Sequence, residues 1–332
     1  MLRHVSNPPN PWQSSHVEYL DEIPAARLEV FEDVTRSILS RNDAPTVGFE
    51  YGLNPYRGCQ HACAYCEARR RHELLGFGAG TDFDAKIVVK PRAPELLRAA
   101  FDAPSWKGDV IVLSGATDCY QPLEAHYQLT RRCLEVCAEY RNPVAIITKG
   151  ALVERDIDVL ANLAAVARVT VSVSIPFHDP EHARTLEPLC PTPHRRLRTI
   201  ARLAEAGIDV GVSVAPLVPG LDDGMATILT EAASAGARRA VLSFLRLPTP
   251  VDAIFAERLR KGLPLRAEKV LGHLEDAPYR AMVEALYRST CRRVGLAHYP
   301  AGDDFANTPD AGPPAERTFR RPPRAGQQLG LF

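Results

Sequence analysis

Cys59, Cys63 and Cys66 fall within one short stretch, Asn54-Pro-Tyr-Arg-Gly-Cys-Gln-His-Ala-Cys-Ala-Tyr-Cys66, with the spacing C-x3-C-x2-C and an aromatic, Tyr65, just before the third cysteine. Thiolates hold iron–sulfur clusters, and a cubane presents four irons to be liganded. Three cysteines on one loop hold three of them and leave the fourth open. An open coordination position lets a metal site bind a substrate or cofactor instead of only bracing a fold. Two plainer readings compete. A structural zinc ion closes its shell with four ligands, and the usual second C-x2-C pair is absent, with His61 the nearest further donor. A disulfide pattern is disfavoured, because the polar, Pro-rich N-terminus does not read as a signal peptide and a reducing compartment is expected.

The elements that must carry this loop are legible from periodicity. With 332 residues, 45% of them hydrophobic, the chain can bury a full core, and its formal net charge of zero advertises neither nucleic acid nor membrane. No apolar run approaches the ~20 residues of a spanning helix. Short β-rich runs are expected at Lys86–Lys90, Val110–Ser114, Val144–Thr148, Val169–Ile175, Val210–Ala215 and Ala240–Leu245. Helical periodicity separates them, at Ala93–Phe101, Leu123–Tyr140, Glu154–Ala167, Pro193–Ala206, Asp222–Ala235 and Val251–Lys261. Strands that are apolar on both faces and alternate with helices point to a parallel sheet, either a βα barrel or an open doubly wound sheet. Residues 1–45 read as an irregular N-terminal extension, with one short helix near Ala25–Leu39. Residues 46–300 form the core, with helix Pro278–Val294 as an appendage, and residues 301–332 read as a Pro- and Gly-rich flexible tail. Working residues of parallel α/β folds stand at the C-terminal ends of strands. That rule selects Ser114, Thr117 and Asp118, then Lys149, then Ser172 and Ser174. Cys133 and Cys137 share a helix face and read as core, and Cys190 and Cys291 read as structural.

The cysteine loop resembles the cluster loop of radical S-adenosylmethionine (SAM) enzymes, C-x3-C-x-aromatic-C. The segments Asn54-Pro-Tyr-Arg-Gly-Cys, Leu113-Ser-Gly-x-Thr-Asp118, Ile146-Ile-Thr-Lys149 and Val214-Ala-Pro-x-x-Pro-Gly-Leu-x-Asp are similar to the spore photoproduct lyase-like branch of that superfamily. The resemblance implies a partial (β/α)6 TIM-type barrel and a four-iron, four-sulfur cluster on Cys59, Cys63 and Cys66. It implies SAM chelated at the open iron and cleaved by one electron to a 5′-deoxyadenosyl radical that takes hydrogen from a substrate. On that resemblance Tyr65 packs near the cluster or adenine, Ser114, Thr117 and Asp118 face the SAM ammonium, and Lys149, Ser172 and Ser174 face its carboxylate. Cys119 is the nearest candidate for the hydrogen-donating cysteine of the branch. Glu67 departs from the Tyr-Cys-Tyr ending common among the relatives.

The terminus Gln328-Leu-Gly-Leu-Phe332 resembles the Gln-Leu-x-Leu-Phe peptide by which bacterial repair proteins dock on the DNA sliding clamp. Gln328, Leu329, Leu331 and Phe332 are its anchors, unless they fold back on the body. The chain is therefore expected to be a cytoplasmic radical SAM enzyme with a one-electron reductant and a nucleic-acid substrate, of lyase or DNA-repair type. The alternatives are radical modification of a protein, RNA or metabolite, and a non-catalytic metal-bearing interaction module.

Overall fold

The protein was analysed as a computed structural model that describes residues 2–5, 28–42, 49–113, 115–299 and 318–323. Its strands are β1 (Leu2–Val5), β2 (Glu29–Asp33), β3 (Leu39–Arg41), β4 (Tyr51–Leu53), β5 (Tyr56–Arg57), β6 (Lys86–Val89), β7 (Ile111–Leu113), β8 (Val144–Thr148), β9 (Val169–Ser174), β10 (Asp209–Leu217), β11 (Arg239–Phe244) and β12 (Ala297–Tyr299). The larger sheet runs β3-β4-β7-β8-β9-β10-β11-β12. It is antiparallel only where β3 meets β4, and parallel from β4 to β12. Each of its strands lies beside the next in chain order, so the winding never reverses, as a doubly wound sheet would require. This is the α/β architecture expected of a partial barrel, with β3 and β12 at the two edges.

The expected helices form as Ala93–Asp102, Leu129–Tyr140, Ile157–Ala164, Pro193–Glu205, Met225–Ser234 and Val251–Gly262. Alternation along the strands sorts the two sheet faces. Ile146, Val171, Val173, Val212 and Val214 turn toward the helices and join the main core. Val112 and Ala145 form a separate small cluster with Ile147. Register aligns Ile147 with Ser172 and Ser172 with Gly211, so Ser172 lies on that other face beside them.

Three expectations change. The helix near Ala25–Leu39 does not form; among residues 28–42 the chain makes β2 and β3. Val30 and Phe31 pack better on a pleated surface, and β2 pairs in parallel with β6. Lys86–Lys90 is a strand, yet it lies outside the main sheet, in a four-stranded sheet ordered β1-β2-β6-β5. Helix Ala277–Val294 is no appendage, since its Val283, Tyr287 and Cys291 are buried in the main core and it leads into β12. Helices Pro180–Leu186 and Pro264–His273, each opening on a proline, were not legible as periodic runs.

The C-terminal residues 318–323 lie against the body. Phe319 stacks on Tyr140 and meets Phe101 edge-on, and the Arg321 guanidinium donates to the carbonyls of Phe101, Ala103 and Trp106. Arg320 donates its backbone N–H to the Tyr140 carbonyl. The clamp-like residues Gln328, Leu329, Leu331 and Phe332 lie outside the described residues.

Candidate metal centre

Two elements aim the cysteine loop. Short strand β5 pairs with β6, which holds the residues just before Cys59, and helix Ala68–His72 begins two residues after Cys66. Gly58 sits at φ 77° and Ala62 at φ 57°, the left-handed turns that wind the loop tightly. A Cβ on Gly58 would also meet Ile87 and the carbonyls of Phe83 and Lys86 at 3.0 Å. Backbone bonds pin the loop further: Cys59 donates to Phe83 and Ala64 donates to Leu186.

Side chains that sequence reasoning missed hold its carbonyls. Arg69, fully buried, donates through Nε to the Cys63 carbonyl at 2.8 Å and through its other nitrogens to Ala79, Gly80 and Asp84. Arg258 donates to the Ala62 carbonyl at 2.6 Å. Gln121 is also fully buried: its amide nitrogen donates to Gly58, and its oxygen accepts from the Gln60 N–H. These residues carry no motif, because the partners they satisfy are remote in sequence.

The thiols are free and enclosed, Cys59 and Cys63 buried and Cys66 half-buried. Burial pushes the Cys66 thiol up to about 12, with Cys63 and Cys59 reinforcing it and Arg69 opposing. A hydrogen bond from Cys190 brings Cys63 down to about 7, against burial and Glu187 and with help from Lys149 and His61. Burial works against a charge on His61, yet Asp118 at 3.3 Å and Cys59 raise it to about 10. Three free thiols on one loop, ringed by His61, Arg69, Arg258 and Lys149, form a site that an iron–sulfur cluster fits. Bound iron supplies the positive charge that lets all three stand as thiolates. Among the described residues, one group could hold a single ion with its donors within 4.8 Å of one another: Cys63, Glu187 and Cys190. Glu187 already accepts from the Tyr65 hydroxyl and the Arg196 guanidinium, so a lone zinc there would compete with both.

The remaining expected residues sort as follows. Tyr65 is buried against Phe177, and its hydroxyl is spent on Glu187. Lys149 reaches the same carboxylate at 3.9 Å and stands 5.7 Å from the Tyr65 ring centroid. Burial opposes its charge, but Glu187 and Cys63 raise its pKa above the usual lysine range. The Ser172 hydroxyl is buried with no partner among the described residues, and the Ser174 carbonyl accepts from Arg196. Ser114 lies outside the described residues. Asp118 differs from its expected role. Its oxygens accept from the Thr148 hydroxyl and from the backbone of Lys149 and Tyr120, and they face His61. The carboxylate is committed to joining the loop to the end of β8, which leaves it a positioning residue. Thr117 accepts from Gln121 in the same lattice.

Cys119 is corrected outright. Its thiol is buried in the helix-covered core and donates to the Leu113 carbonyl. Cys190 is corrected in the other direction: it lies 3.7 Å from Cys63, a contact across 127 positions that spacing could not reveal. Glu67 is exposed at the start of its helix and points away from the thiols. Cys133 and Cys137 are core residues, as expected.

Comparison with known proteins agrees with this geometry. An uncharacterized protein of Mycobacterium tuberculosis (strain ATCC 25618 / H37Rv) is 40% identical over 273 residues, covering 80% of this chain and 79% of the relative. An uncharacterized protein of Methanocaldococcus jannaschii is 28% identical over 198 residues, covering 60% of this chain and 71% of the relative. In fold, the chain is similar to a spore photoproduct lyase variant with bound AdoMet and dinucleoside spore photoproduct. The TM-score is 0.62 at 16% identity, covering 82% of this chain and 81% of that one. The lyase complexed with dinucleoside spore photoproduct gives the same TM-score of 0.62. The family model of the radical SAM superfamily matches residues 53–232, which hold all three cysteines and β5 through β10. This chain belongs to the radical SAM superfamily, an enzyme family whose cofactors are a four-iron, four-sulfur cluster and S-adenosylmethionine.

Proposed function

We propose that this chain cleaves SAM reductively and uses the resulting radical to take hydrogen from a nucleic-acid substrate, in a lyase or other repair reaction. The observation that carries the chemistry is the ring of cations around three free, largely enclosed thiols on one loop. When bound there, the cluster supplies one electron to SAM. The chain's own residues do the rest. Cys59, Cys63 and Cys66 hold three irons. Arg69, Arg258 and Gln121 keep their loop rigid, which limits the reorganisation that follows a change of charge. Lys149 and the Ser172 hydroxyl are the groups suited to a carboxylate, and the apolar cover from Phe177, Leu186 and Phe255 over Tyr65 excludes water from the thiols.

Support for the nucleic-acid part comes from the fold it shares with spore photoproduct lyase, whose structures hold a dinucleoside photoproduct. The Gln328–Phe332 peptide supports docking on a sliding clamp, and with it a place in the cytoplasm. Among the described residues no helix is long and apolar enough to cross a membrane.

The test is anaerobic reconstitution with iron and sulfide, then SAM and a reductant, with chromatographic detection of 5′-deoxyadenosine. The expected result is three to four irons with labile sulfide per chain (the cubane loading) and product that vanishes in Cys63→Ala. One zinc and no product would replace this reading with a metal-bearing interaction module. Deletion of Gln328–Phe332 is expected to abolish clamp pull-down while leaving 5′-deoxyadenosine formation intact.

A further inference from the structure

Beside the cysteine loop lies a cavity of about 160 Å³. Its walls come from both sides of that loop: Asn54 and Arg57 before Cys59, and Arg71 and His72 after Cys66. Lys90, at the end of β6, and Ala116, in the loop after β7, close it.

The charge of this lining is one-sided. Arg57, Arg71 and Lys90 bring three cations, and no carboxylate lines the cavity. Elsewhere in the molecule buried and half-buried guanidiniums are matched by acids, as Arg69 is by Asp84, Arg155 by Asp156 and Arg196 by Glu187. Arg57, half-buried, and Arg71, exposed at the rim, have no acidic partner among the described residues. Lys90 is buried, and its ammonium donates to a carbonyl, that of Asn54 at 2.9 Å. Its nearest carboxylate influence is Asp33, weaker than the opposing influence of Arg57.

A second observation is independent of these charges. His72 is 2% exposed, and its Nε2 is buried with no hydrogen-bond partner among the described residues. A buried polar atom without a partner is costly. His72 therefore leaves a polar position on the cavity lining open to a ligand.

We propose that this cavity is a phosphate subsite that grips a phosphate group of the substrate beside the cysteine loop. Phosphate carries the negative charge, the several acceptor oxygens and the compact size that guanidinium, ammonium and imidazole donors converging on one cavity would match. The arginines flank the loop itself, so a phosphate held there anchors the substrate at the edge of the thiol site. As a substrate subsite this rests on the reading above; as an anion site it stands alone.

The experiment uses the full chain, reconstituted with iron and sulfide, and a fluorescently labelled single-stranded oligothymidylate read by anisotropy. Inorganic phosphate serves as competitor, and an oligomer with uncharged methylphosphonate linkages as the second probe. Arg57→Gln and Arg71→Gln are each expected to weaken oligonucleotide binding about tenfold, as loss of a charge-assisted contact does. Each should also reduce the slope of log K against log salt by about 0.7. Inorganic phosphate should compete, the methylphosphonate oligomer should bind poorly, and Arg292→Gln, an exposed arginine on helix Ala277–Val294, should bind like the wild type. Far-UV circular dichroism and iron content serve to verify that each variant is folded and loaded.

Variants that keep wild-type affinity and salt slope would overturn the subsite. Phosphate binding that depends on Arg57 and Arg71, without oligonucleotide binding, would support the subsite and assign it to a small phosphorylated substrate. Measuring 5′-deoxyadenosine in the same preparations separates the two hypotheses. Phosphate binding without SAM cleavage sinks the reaction and keeps the subsite; cleavage without phosphate binding does the reverse.

Discussion

Arg69 is a fully enclosed guanidinium bonded to three loop carbonyls and to Asp84, with Phe83 stacked 4.8 Å away. Removing one partner of a buried ion pair typically costs about 3–5 kcal/mol, because the other is left unmatched. Asp84 retains some exposure and a distant Arg258, so the low end applies. Arg69→Ala is expected to destabilise the fold by about 3 kcal/mol in denaturant titration and to lower iron incorporation, since the Cys63 carbonyl loses its anchor. Retention of both would show that the loop is held by its thiols alone. Lys90 offers a pH test of the phosphate subsite. Burial and Arg57 push its amine down to about 8, with Asp33 opposing. The amine is charged below that pH and neutral above it. His72 on the facing helix is held below its usual range by burial, so it does not titrate in this window. Oligonucleotide affinity should therefore fall severalfold between about pH 7 and pH 9, and Lys90→Arg should flatten the profile.

At the scale of elements, the site depends on how closely the loop after β7 meets the end of β8. Asp118 accepts from Thr148 and Lys149, and the Cβ that Gly150 lacks would stand 2.4 Å from the Tyr120 carbonyl oxygen. There is no room for a methyl group without moving the backbone. Gly150→Ala is expected to cost about 1–3 kcal/mol of overpacking. It should also raise the SAM concentration needed for half-maximal 5′-deoxyadenosine formation, because Lys149 and Asp118 shift together. A variant with lowered stability and unchanged SAM dependence would leave this contact purely structural. Helices Pro180–Leu186, Val251–Gly262 and Pro264–His273 belong to the same scale, since they pack as one apolar cluster over Cys63, Ala64 and Tyr65.

For the whole molecule, the C-terminal segment joins distant parts of the chain. Phe319 sits in the aromatic cluster of Phe101, Tyr140 and Trp106, close enough to Gly108 that a Cβ there would come within 2.3 Å of it. Phe319 is half-buried, so Phe319→Ala is expected to cost about 2 kcal/mol, below the ~3–5 kcal/mol of a fully buried phenylalanine. Thermal unfolding would measure it. An unchanged midpoint would mean that residues 318–323 only rest on the surface.

The sequence by itself determined the cysteine loop and the parallel α/β alternation. Three cysteines on one loop carry their meaning in local spacing, and apolar strands alternating with amphipathic helices specify a parallel sheet because each run must bury its own faces. It also separated the core cysteines Cys133 and Cys137 from the ligands, since helical periodicity is local too. Tertiary structure alone decided which polar groups meet. Cys190 beside Cys63, Glu187 between Tyr65 and Arg196, and Arg258 on the Ala62 carbonyl are all contacts between segments far apart in the chain. The same holds where expectation failed. Cys119 sits after a strand as a donor should, but its thiol turns into the core. A short helix was expected near Ala25–Leu39, where β2 instead pairs with the edge that β6 offers. Pairing, burial and the matching of buried charges are set by the packed whole, and no local window of residues contains them.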